Sequence, residues 1–317
     1  MSFQLTGQLT GQLTNFPKKV KIVEVGARDG LQNEPNILDV KTKVELINRL
    51  AQAGLQHIEA GAFVSPKKIP QMADSSEVFA GIDRIQNVTY TGLVPNLMGF
   101  EAALAAKADE VAIFAAASET FSKRNINCTI DESFERFAPV MHAAKQAKIP
   151  VRGYLSCVLG CPYEGKISVQ KVAVLSKKLW DIGCHEISLG DTIGVGVVSE
   201  TYALIEAVRR SVPIEKIAVH FHDTYGQALA NIIVALQMGV TVVDSSVAGL
   251  GGCPYAVGAS GNVSTEDVVY GLNRMGIQTG INLDWLVSVG QWISKICKRP
   301  NSSKAGVAIA SKQLKKD

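Results

Sequence analysis

Short runs of apolar and β-branched residues recur along the chain, and each run is followed by a segment with helical spacing of its apolar positions. The apolar runs occupy residues 20–25, 55–60, 88–94, 110–114, 151–155, 185–189, 217–221 and 241–245. The helical segments between them include residues 41–53, 97–107, 133–148, 169–182, 200–210 and 227–238. In the first of these, Val44, Ile47 and Leu50 recur at helical spacing, and Gly54 follows where a C-cap is expected.

This alternation predicts the fold class. Strict β-α alternation implies a parallel sheet, and eight such units are the number that closes a (β/α)8 TIM barrel. A doubly wound open α/β sheet is the alternative, but it usually has fewer strands and often an N-terminal glycine fingerprint, which this sequence lacks.

The segments before and after the alternating β-α pattern differ from it in composition. Residues 1–17 contain a repeated Gln-Leu-Thr-Gly tetrapeptide without charge, which predicts a flexible N-terminal extension. Residues 18–282 form the predicted catalytic barrel, including a glycine-rich loop after the eighth strand. Residues 283–317, rich in Trp and Ile at positions such as Trp285, Trp292 and Ile293, predict a helical C-terminal extension packed on the barrel.

Composition narrows the class of protein. The chain has 317 residues, of which 47% are hydrophobic and 19% charged, the opposite of a disordered chain. A net charge of +3 is too balanced to favour nucleic acid as a partner. No stretch of apolar residues is long enough to span a membrane, and no secretory signal is visible. The six cysteines are scattered without a CxxC pair, which indicates reduced thiols, so we expect a cytoplasmic protein.

A barrel concentrates its chemistry just beyond the C-terminal ends of its strands. Polar or ionisable residues stand at most of the predicted strand ends, and they include Arg28, Asp29, Glu59, Ser188, Asp191, His220 and His222. Polar groups there are costly unless they are paired or used. The fourth strand is the exception, since it ends in alanines.

The seventh strand ends in His220-Phe221-His222. Residues i and i+2 of a strand face the same side, so both imidazoles are predicted to point into the barrel mouth and Phe221 away from it. Two converging imidazoles form half of a metal site. A pair of hydrogen-bonded core histidines is the alternative.

Arg28 and Asp29 follow the first strand, which neighbours the eighth in a closed barrel. A carboxylate there can complete a metal shell, and an arginine can hold an oxyanion. Glu59, at the end of the second strand, can orient Arg28 or a ligand. A purely structural ion pair is the alternative. A site of two His, one Asp and an amide or water favours Mg²⁺, Mn²⁺ or a similar ion over structural zinc.

The glycine-rich segment at residues 249–262 contains a single cysteine, Cys253, and ends at Asn262. Glycines allow positive φ and movement, so this segment is predicted to be a lid over the barrel mouth. Cys253 is a candidate nucleophile, acid or base, with an inert small residue as the alternative. Asn262 is a candidate fourth metal ligand or a helix cap.

Several motifs together resemble the 3-hydroxy-3-methylglutaryl-CoA lyase family. They are Glu-Val-Gly-Ala-Arg-Asp-Gly-Leu-Gln-Asn at residues 24–33, Gly-Cys-Pro-Tyr-Glu-Gly-Lys-Ile-Ser at 160–168, Glu-Ile-Ser-Leu-Gly-Asp-Thr-Ile-Gly at 186–194, and the run from 222 to 267. The resemblance spans residues 18–307. The wider superfamily of metal-dependent barrel lyases and synthases shares the Arg-Asp and His-x-His motifs, whereas the Gly-Gly-Cys-Pro-Tyr loop is narrower.

The resemblance implies cleavage of (S)-3-hydroxy-3-methylglutaryl-CoA to acetyl-CoA and acetoacetate, a retro-Claisen step that uses Mg²⁺ or Mn²⁺. It implies that Asp29, His220, His222 and Asn262 are metal ligands. By the same resemblance, Arg28 would stabilise the enolate, Cys253 would protonate it, and Glu59 would orient neighbouring groups. A homodimer is also a family expectation.

The chemistry of the step adds two expectations. The substrate hydroxyl must lose a proton, and either His220 or Asp29 is the base; the sequence does not decide between them. We expect Arg28, Gln32, Ser188 and Asp191 to contact the substrate.

Three rival functions use some of the same features. A condensing acyltransferase or an aldolase of the same superfamily shares the metal motifs but not the Cys253 loop. A zinc-dependent barrel hydrolase typically carries its His-x-His on the first strand. A non-enzymatic binding module predicts no cluster of ligands at one rim.

Overall fold

A computed structural model describes residues 16–252 and 261–313 of the chain. Its strands form a closed, all-parallel barrel in sequence order, with β8 paired to β1. The strands are β1 Lys21–Glu24, β2 His57–Ala62, β3 Thr89–Leu93, β4 Glu110–Ala116, β5 Val151–Ser156, β6 Glu186–Asp191, β7 Ile217–Phe221 and β8 Val242–Ser245. The TIM-barrel prediction is therefore confirmed, and each strand overlaps the apolar run that predicted it.

Helices follow the strands and cover the outside of the barrel. They are α1 Val40–Gln52, α2 Ser75–Gly81, α3 Leu97–Ala105, α4 Glu119–Ile126, α5 Ile130–Ala147, α6 Val169–Asp181, α7 Val198–Val208, α8 Ala228–Gln237, α9 Thr265–Arg274, α10 Leu283–Cys297 and α11 Lys304–Gln313. None of the described helices is long and apolar enough to cross a membrane.

The first helix shows how local sequence sets these boundaries. Asp39 caps α1 by accepting a hydrogen bond of 2.7 Å from the backbone N–H of Thr42. Leu46, Ile47 and Leu50 form its buried face. After the helix, Gly54 has a φ of +99°, and a Cβ there would lie 2.5 Å from the carbonyl oxygen of Gly280. Only glycine fits both the conformation and the close approach.

The segment after β1 departs from the expected simple strand end. Strand β1 stops at Glu24, and Gly26–Gly30 form a π-helical turn that carries Arg28 and Asp29. A Cβ on Gly30 would lie 2.7 Å from the Cβ of Leu250, so the turn packs directly against the loop that follows β8. The wider turn carries two adjacent charged side chains over the barrel mouth, a role that π-helical turns frequently have at functional sites.

The barrel interior holds ionised side chains as well as apolar ones. Arg152 of β5 is 1% exposed, and its guanidinium donates to Glu186 at 2.7 Å and to both carboxylate oxygens of Asp244 at 2.7 and 2.9 Å. Lys21 reaches Glu186 at 2.6 Å from the other side. The sequence pattern predicts polar groups at the strand ends, whereas this network lies within the strands.

The C-terminal helices pack on the barrel wall. α10 lies against α1 and α9, and α11 lies against α9 and α10. Asp267 of α9 accepts hydrogen bonds from the Ser303 hydroxyl at 2.9 Å and from the Ala305 N–H at 2.7 Å, and so holds the start of α11. The helical C-terminal extension is confirmed, while the domain boundaries at residues 17 and 282 stay predictions.

Candidate metal centre

Three side chains with metal-binding chemistry converge at the barrel mouth. One ligand atom each from Asp29, His220 and His222 lies within 4.8 Å of the others. His220 belongs to β7, and His222 follows it and bridges to Asn262. The two imidazole centroids are 5.4 Å apart. Phe221 between them is 1% exposed and packs in the apolar core, as the strand alternation predicts.

Asn262 joins this cluster from the far side of the glycine-rich segment. Its amide Nδ2 donates to Asp29 Oδ2 at 2.8 Å and to the carbonyl of Leu250 at 3.2 Å. The side chain is 4% exposed. The fourth residue expected in the metal shell therefore lies against Asp29 and pairs with His222.

The state of these groups suits a divalent cation. His222 is buried, and its Nδ1 has no hydrogen-bond partner in the part of the chain that the structure describes. Burial, together with the neighbouring His220, lowers the pKa of His222 to about 4, which keeps the imidazole neutral and the lone pair of one ring nitrogen available. Burial alone would raise the pKa of Asp29, but Arg28 and the two histidines outweigh it and hold that pKa at about 2. Imidazole nitrogens and an ionised carboxylate are ligands for a divalent ion.

The carboxylate of Asp244 orients the His220 ring by contacting the nitrogen that does not face Asp29. Its Nδ1 lies 3.2 Å from Asp244 Oδ2, while its Nε2 faces Asp29 Oδ2 at 4.0 Å. Asp244 is held in turn by Arg152 and by the Ser188 hydroxyl, which donates at 2.8 Å. Hydrogen bonding of one ring nitrogen to a carboxylate sets which nitrogen is left for a metal.

Arg28 is fastened between two carboxylates. Its Nε and one terminal nitrogen donate to Glu59 Oε2 at 2.8 and 2.5 Å, and the other terminal nitrogen donates to Asp29 Oδ1 at 2.7 Å. A guanidinium has five N–H donors, so these bonds leave two for a ligand. Burial would lower the pKa of Arg28, but Glu59 and Asp29 outweigh it and raise the pKa above its usual value, so the charge is permanent.

A cavity of about 810 Å³ opens beside this cluster. Arg28, Asp29, His220 and His222 line it, and Gln32 lines it as well. Apolar residues also line it, among them Phe63, Met72, Met98, Phe114 and Phe121. Lys68 and Arg136 supply positive charge along it.

Two residues expected to contact the substrate do not line this cavity. Ser188 and Asp191 are both 0% exposed. The Ser188 hydroxyl bonds to Asp244, and the Asp191 carboxylate accepts from the N–H groups of Val195 and Gly196 at 3.3 and 2.8 Å. Both side chains are bonded to internal partners, and the expectation that they contact the substrate stays a prediction.

Cys253 lies outside the described residues. The described ends of its segment meet beside the metal cluster, since a Cβ on Gly261 would lie 2.7 Å from the carbonyl oxygen of Gly252. Gly252 and Gly261, the described residues that flank this segment, therefore lie close together, next to Asn262 in the sequence.

The sequence reasoning missed Arg152, Asp244 and Tyr154. Tyr154 lines the cavity and accepts a 2.6 Å hydrogen bond from Arg152 through its hydroxyl. A charged residue inside an apolar strand run was the available signal for Arg152 and Asp244. The residues that the sequence predicted for the site stand instead at the ends of the strands.

Comparison with known proteins places these features in a family. The model of the HMGL-like family matches residues 19–293. The mitochondrial hydroxymethylglutaryl-CoA lyases of Macaca fascicularis and Homo sapiens are 60% and 58% identical over 299 residues, which are 94% of this chain and 92% of each of theirs. A crystal structure of the hydroxymethylglutaryl-CoA lyase from Pseudomonas aeruginosa is similar with a TM-score of 0.93 and 57% identity, covering 94% of this chain and 100% of that one. An HMG-CoA lyase from Acinetobacter baumannii, solved with coenzyme A and 3-methylmalate, has a TM-score of 0.88 and 37% identity over 92% of this chain and 95% of its own.

The contact between Asp244 and His220 generates a prediction. Asp244→Asn removes the charge that orients the His220 ring, so the dissociation constant for Mn²⁺ should rise by about 10- to 100-fold. Titration of the metal-free protein with Mn²⁺ measures it. Ser188→Ala, which removes a neutral donor from the same carboxylate, is the matched control and should change affinity much less. An unchanged Mn²⁺ affinity in a folded Asp244→Asn protein would refute the orienting role.

Proposed function

The chain belongs to the HMGL-like family, and we propose that it is a hydroxymethylglutaryl-CoA lyase, which cleaves 3-hydroxy-3-methylglutaryl-CoA to acetyl-CoA and acetoacetate. One observation carries this conclusion. The curated lyases are about 60% identical over 94% of the chain, and the matched region contains the whole cluster at the barrel mouth.

The metal shell in this proposal consists of Asp29, His220, His222 and Asn262, and the ion is Mg²⁺ or Mn²⁺. The unpartnered Nδ1 of His222 and the ionised Asp29 support it. A divalent cation held there would lower the pKa of a bound substrate hydroxyl.

The arrangement of His220 limits the choice of base. Its Nδ1 is bonded to Asp244, so a single ring nitrogen is left, and that nitrogen cannot hold a metal ion and accept a proton at once. Within this proposal the proton acceptor is therefore Asp29, whose carboxylate has two oxygens, one for the ion and one for the proton. Its pKa of about 2 makes it a weak base, so the hydroxyl must be acidified before the proton transfers.

Arg28 is proposed to stabilise the enolate. As the carbon–carbon bond breaks, its electron pair moves onto the thioester oxygen, where a fixed cation lowers the barrier. The guanidinium is held by Glu59 and Asp29, these bonds leave two of its N–H donors, and Arg28 lines the cavity. Glu59 is thus a positioning residue, buried with one oxygen that has no partner among the described residues.

Cys253 is proposed as the acid that protonates the enolate carbon. An unperturbed thiol is mostly protonated at neutral pH and can donate a proton. The family resemblance supports this role, in which the Gly-Gly-Cys-Pro-Tyr motif contains Cys253.

The coenzyme A portion of the substrate is proposed to lie along the 810 Å³ cavity. Its apolar wall suits a pantetheine arm, and Lys68 and Arg136 suit phosphates. The relative solved with coenzyme A supports an acyl-CoA ligand.

A homodimer and a cytoplasmic location remain predictions. The curated relatives are named as mitochondrial proteins.

The reaction is tested directly by acetoacetate release from 3-hydroxy-3-methylglutaryl-CoA, with Mg²⁺ and with EDTA. We expect release that requires the metal. Absence of release from folded, Mg²⁺-loaded protein would contradict the proposal and favour a related acyl-CoA or a condensing acyltransferase.

The acid role predicts that Cys253→Ala lowers kcat by about 10²- to 10⁴-fold while Mn²⁺ affinity stays the same. Cys184→Ala, which removes a buried thiol that does not line the cavity, is the control. Steady-state kinetics and Mn²⁺ titration measure the two quantities. Full turnover in Cys253→Ala would exclude the acid role.

The enolate role predicts that Arg28→Lys lowers kcat by about 10²- to 10³-fold. A lysine ammonium cannot bond both carboxylates and still present a fixed pair of donors. Arg84→Lys, at a partly exposed ion pair with Asp109, is the matched control. Near-normal kcat in Arg28→Lys would be incompatible with this assignment.

A further inference from the structure

We propose that Arg299 and Glu34 form a clamp that holds the backbone of residues 247–252 and thereby positions Asn262 beside Asp29. We call this pair the loop clamp. The inference deepens the metal site proposed above and rests on it. It makes the segment between α10 and α11 part of the machinery that sets metal affinity, although that segment does not line the cavity.

Arg299 joins three parts of the chain that are far apart in sequence. One terminal nitrogen bonds to Glu34 Oε1, in the loop between the π-helical turn and α1. The other donates to the carbonyl of Gly249 at 3.2 Å and to the Ser302 hydroxyl at 3.0 Å. A single planar guanidinium therefore ties the C-terminal segment to both the β1 and the β8 loops.

Glu34 also bonds to the loop after β8, at Gly251. Its Oε1 accepts from the N–H of Gly251 at 3.4 Å. Ser302 adds a backbone bond, from its N–H to the carbonyl of Ala248 at 3.1 Å. A Cβ on Gly249 would lie 3.0 Å from the Ser302 Cβ, so the two segments are in direct contact.

The held loop contacts Asn262 through Leu250. The Leu250 carbonyl accepts from the Ser246 hydroxyl at 2.8 Å and from Asn262 Nδ2 at 3.2 Å. The same Nδ2 reaches Asp29 Oδ2 at 2.8 Å. A shift of Leu250 would therefore move Asn262 relative to Asp29.

Burial makes the two partners depend on each other. The Glu34 side chain is 7% exposed and that of Arg299 is 21% exposed. Loss of the guanidinium leaves a nearly buried carboxylate without its cation, which favours rearrangement of the loop that the carboxylate holds.

Hydrogen–deuterium exchange on the metal-free protein tests the clamp itself. In Arg299→Met, amides of residues 247–252 should exchange about tenfold faster, since a charge-assisted contact is lost. Lys177→Met, which breaks the exposed ion pair with Asp181, is the matched control and should leave this segment unchanged. Unchanged exchange in Arg299→Met would overturn the proposal.

Mn²⁺ titration tests the effect on the site. Arg299→Met should raise the dissociation constant for Mn²⁺ by about tenfold or more, and Arg299→Lys should recover part of the loss. Glu34→Gln, a nearly isosteric change, should give a similar loss, and the double variant should add little to either single one. Additive losses, or faster exchange with unchanged Mn²⁺ affinity, would overturn the positioning role.

A separate variant distinguishes failure of the metal site from failure of the clamp. Asp29→Asn should abolish tight Mn²⁺ binding while leaving exchange at residues 247–252 slow. Wild-type Mn²⁺ affinity in Asp29→Asn would refute the proposed metal site. The exchange rate of residues 247–252 in Arg299→Met tests the clamp independently, because that measurement is made without metal.

Discussion

A continuous line of ionisable groups runs through the barrel interior, and the remaining features of the site depend on it. The contacts follow one another as Lys21–Glu186, Glu186–Arg152, Arg152–Asp244, Asp244–His220, His220–Asp29, Asp29–Arg28 and Arg28–Glu59. A buried charge is tolerated only when it is paired, and removal of one partner leaves the other unpaired. Each group in the line is therefore held in position by its neighbours.

The same line of ionisable groups gives His220 and His222 different pKa values. Burial would lower the pKa of His220, but Asp244 outweighs it and raises that pKa, whereas burial lowers the pKa of His222 to about 4. One imidazole is thus anchored to a carboxylate, while the other is neutral and has a buried nitrogen, Nδ1, without a partner among the described residues. With the nearby carboxylate of Asp29, these two imidazoles would offer the proposed metal ion donor atoms that already lie close together.

The loops of the site derive their order from contacts with distant parts of the chain. The π-helical turn packs on Leu250, Asn262 bonds to Asp29 and Leu250, and Arg299 joins the β1 and β8 loops. A TIM barrel allows this because its first and last strands are neighbours. The C-terminal helices thus serve the site through the segment between them, in addition to covering the barrel wall.

The hydrophobic pattern by itself determined the strands, most of the helices and the shared side of His220 and His222, because strand and helix periodicities are local properties of the backbone. Family motifs in the sequence indicated the four proposed metal ligands. The π-helical turn, the burial of Ser188 and Asp191, and the Arg152–Asp244–His220 contacts were decided by tertiary structure alone. These features depend on which side chains meet across the closed barrel, in pairs such as Arg152 and Asp244 that are 92 positions apart. The local periodicity of apolar residues does not reveal such long-range contacts. In the folded chain they form because burying an unpaired charge is costly.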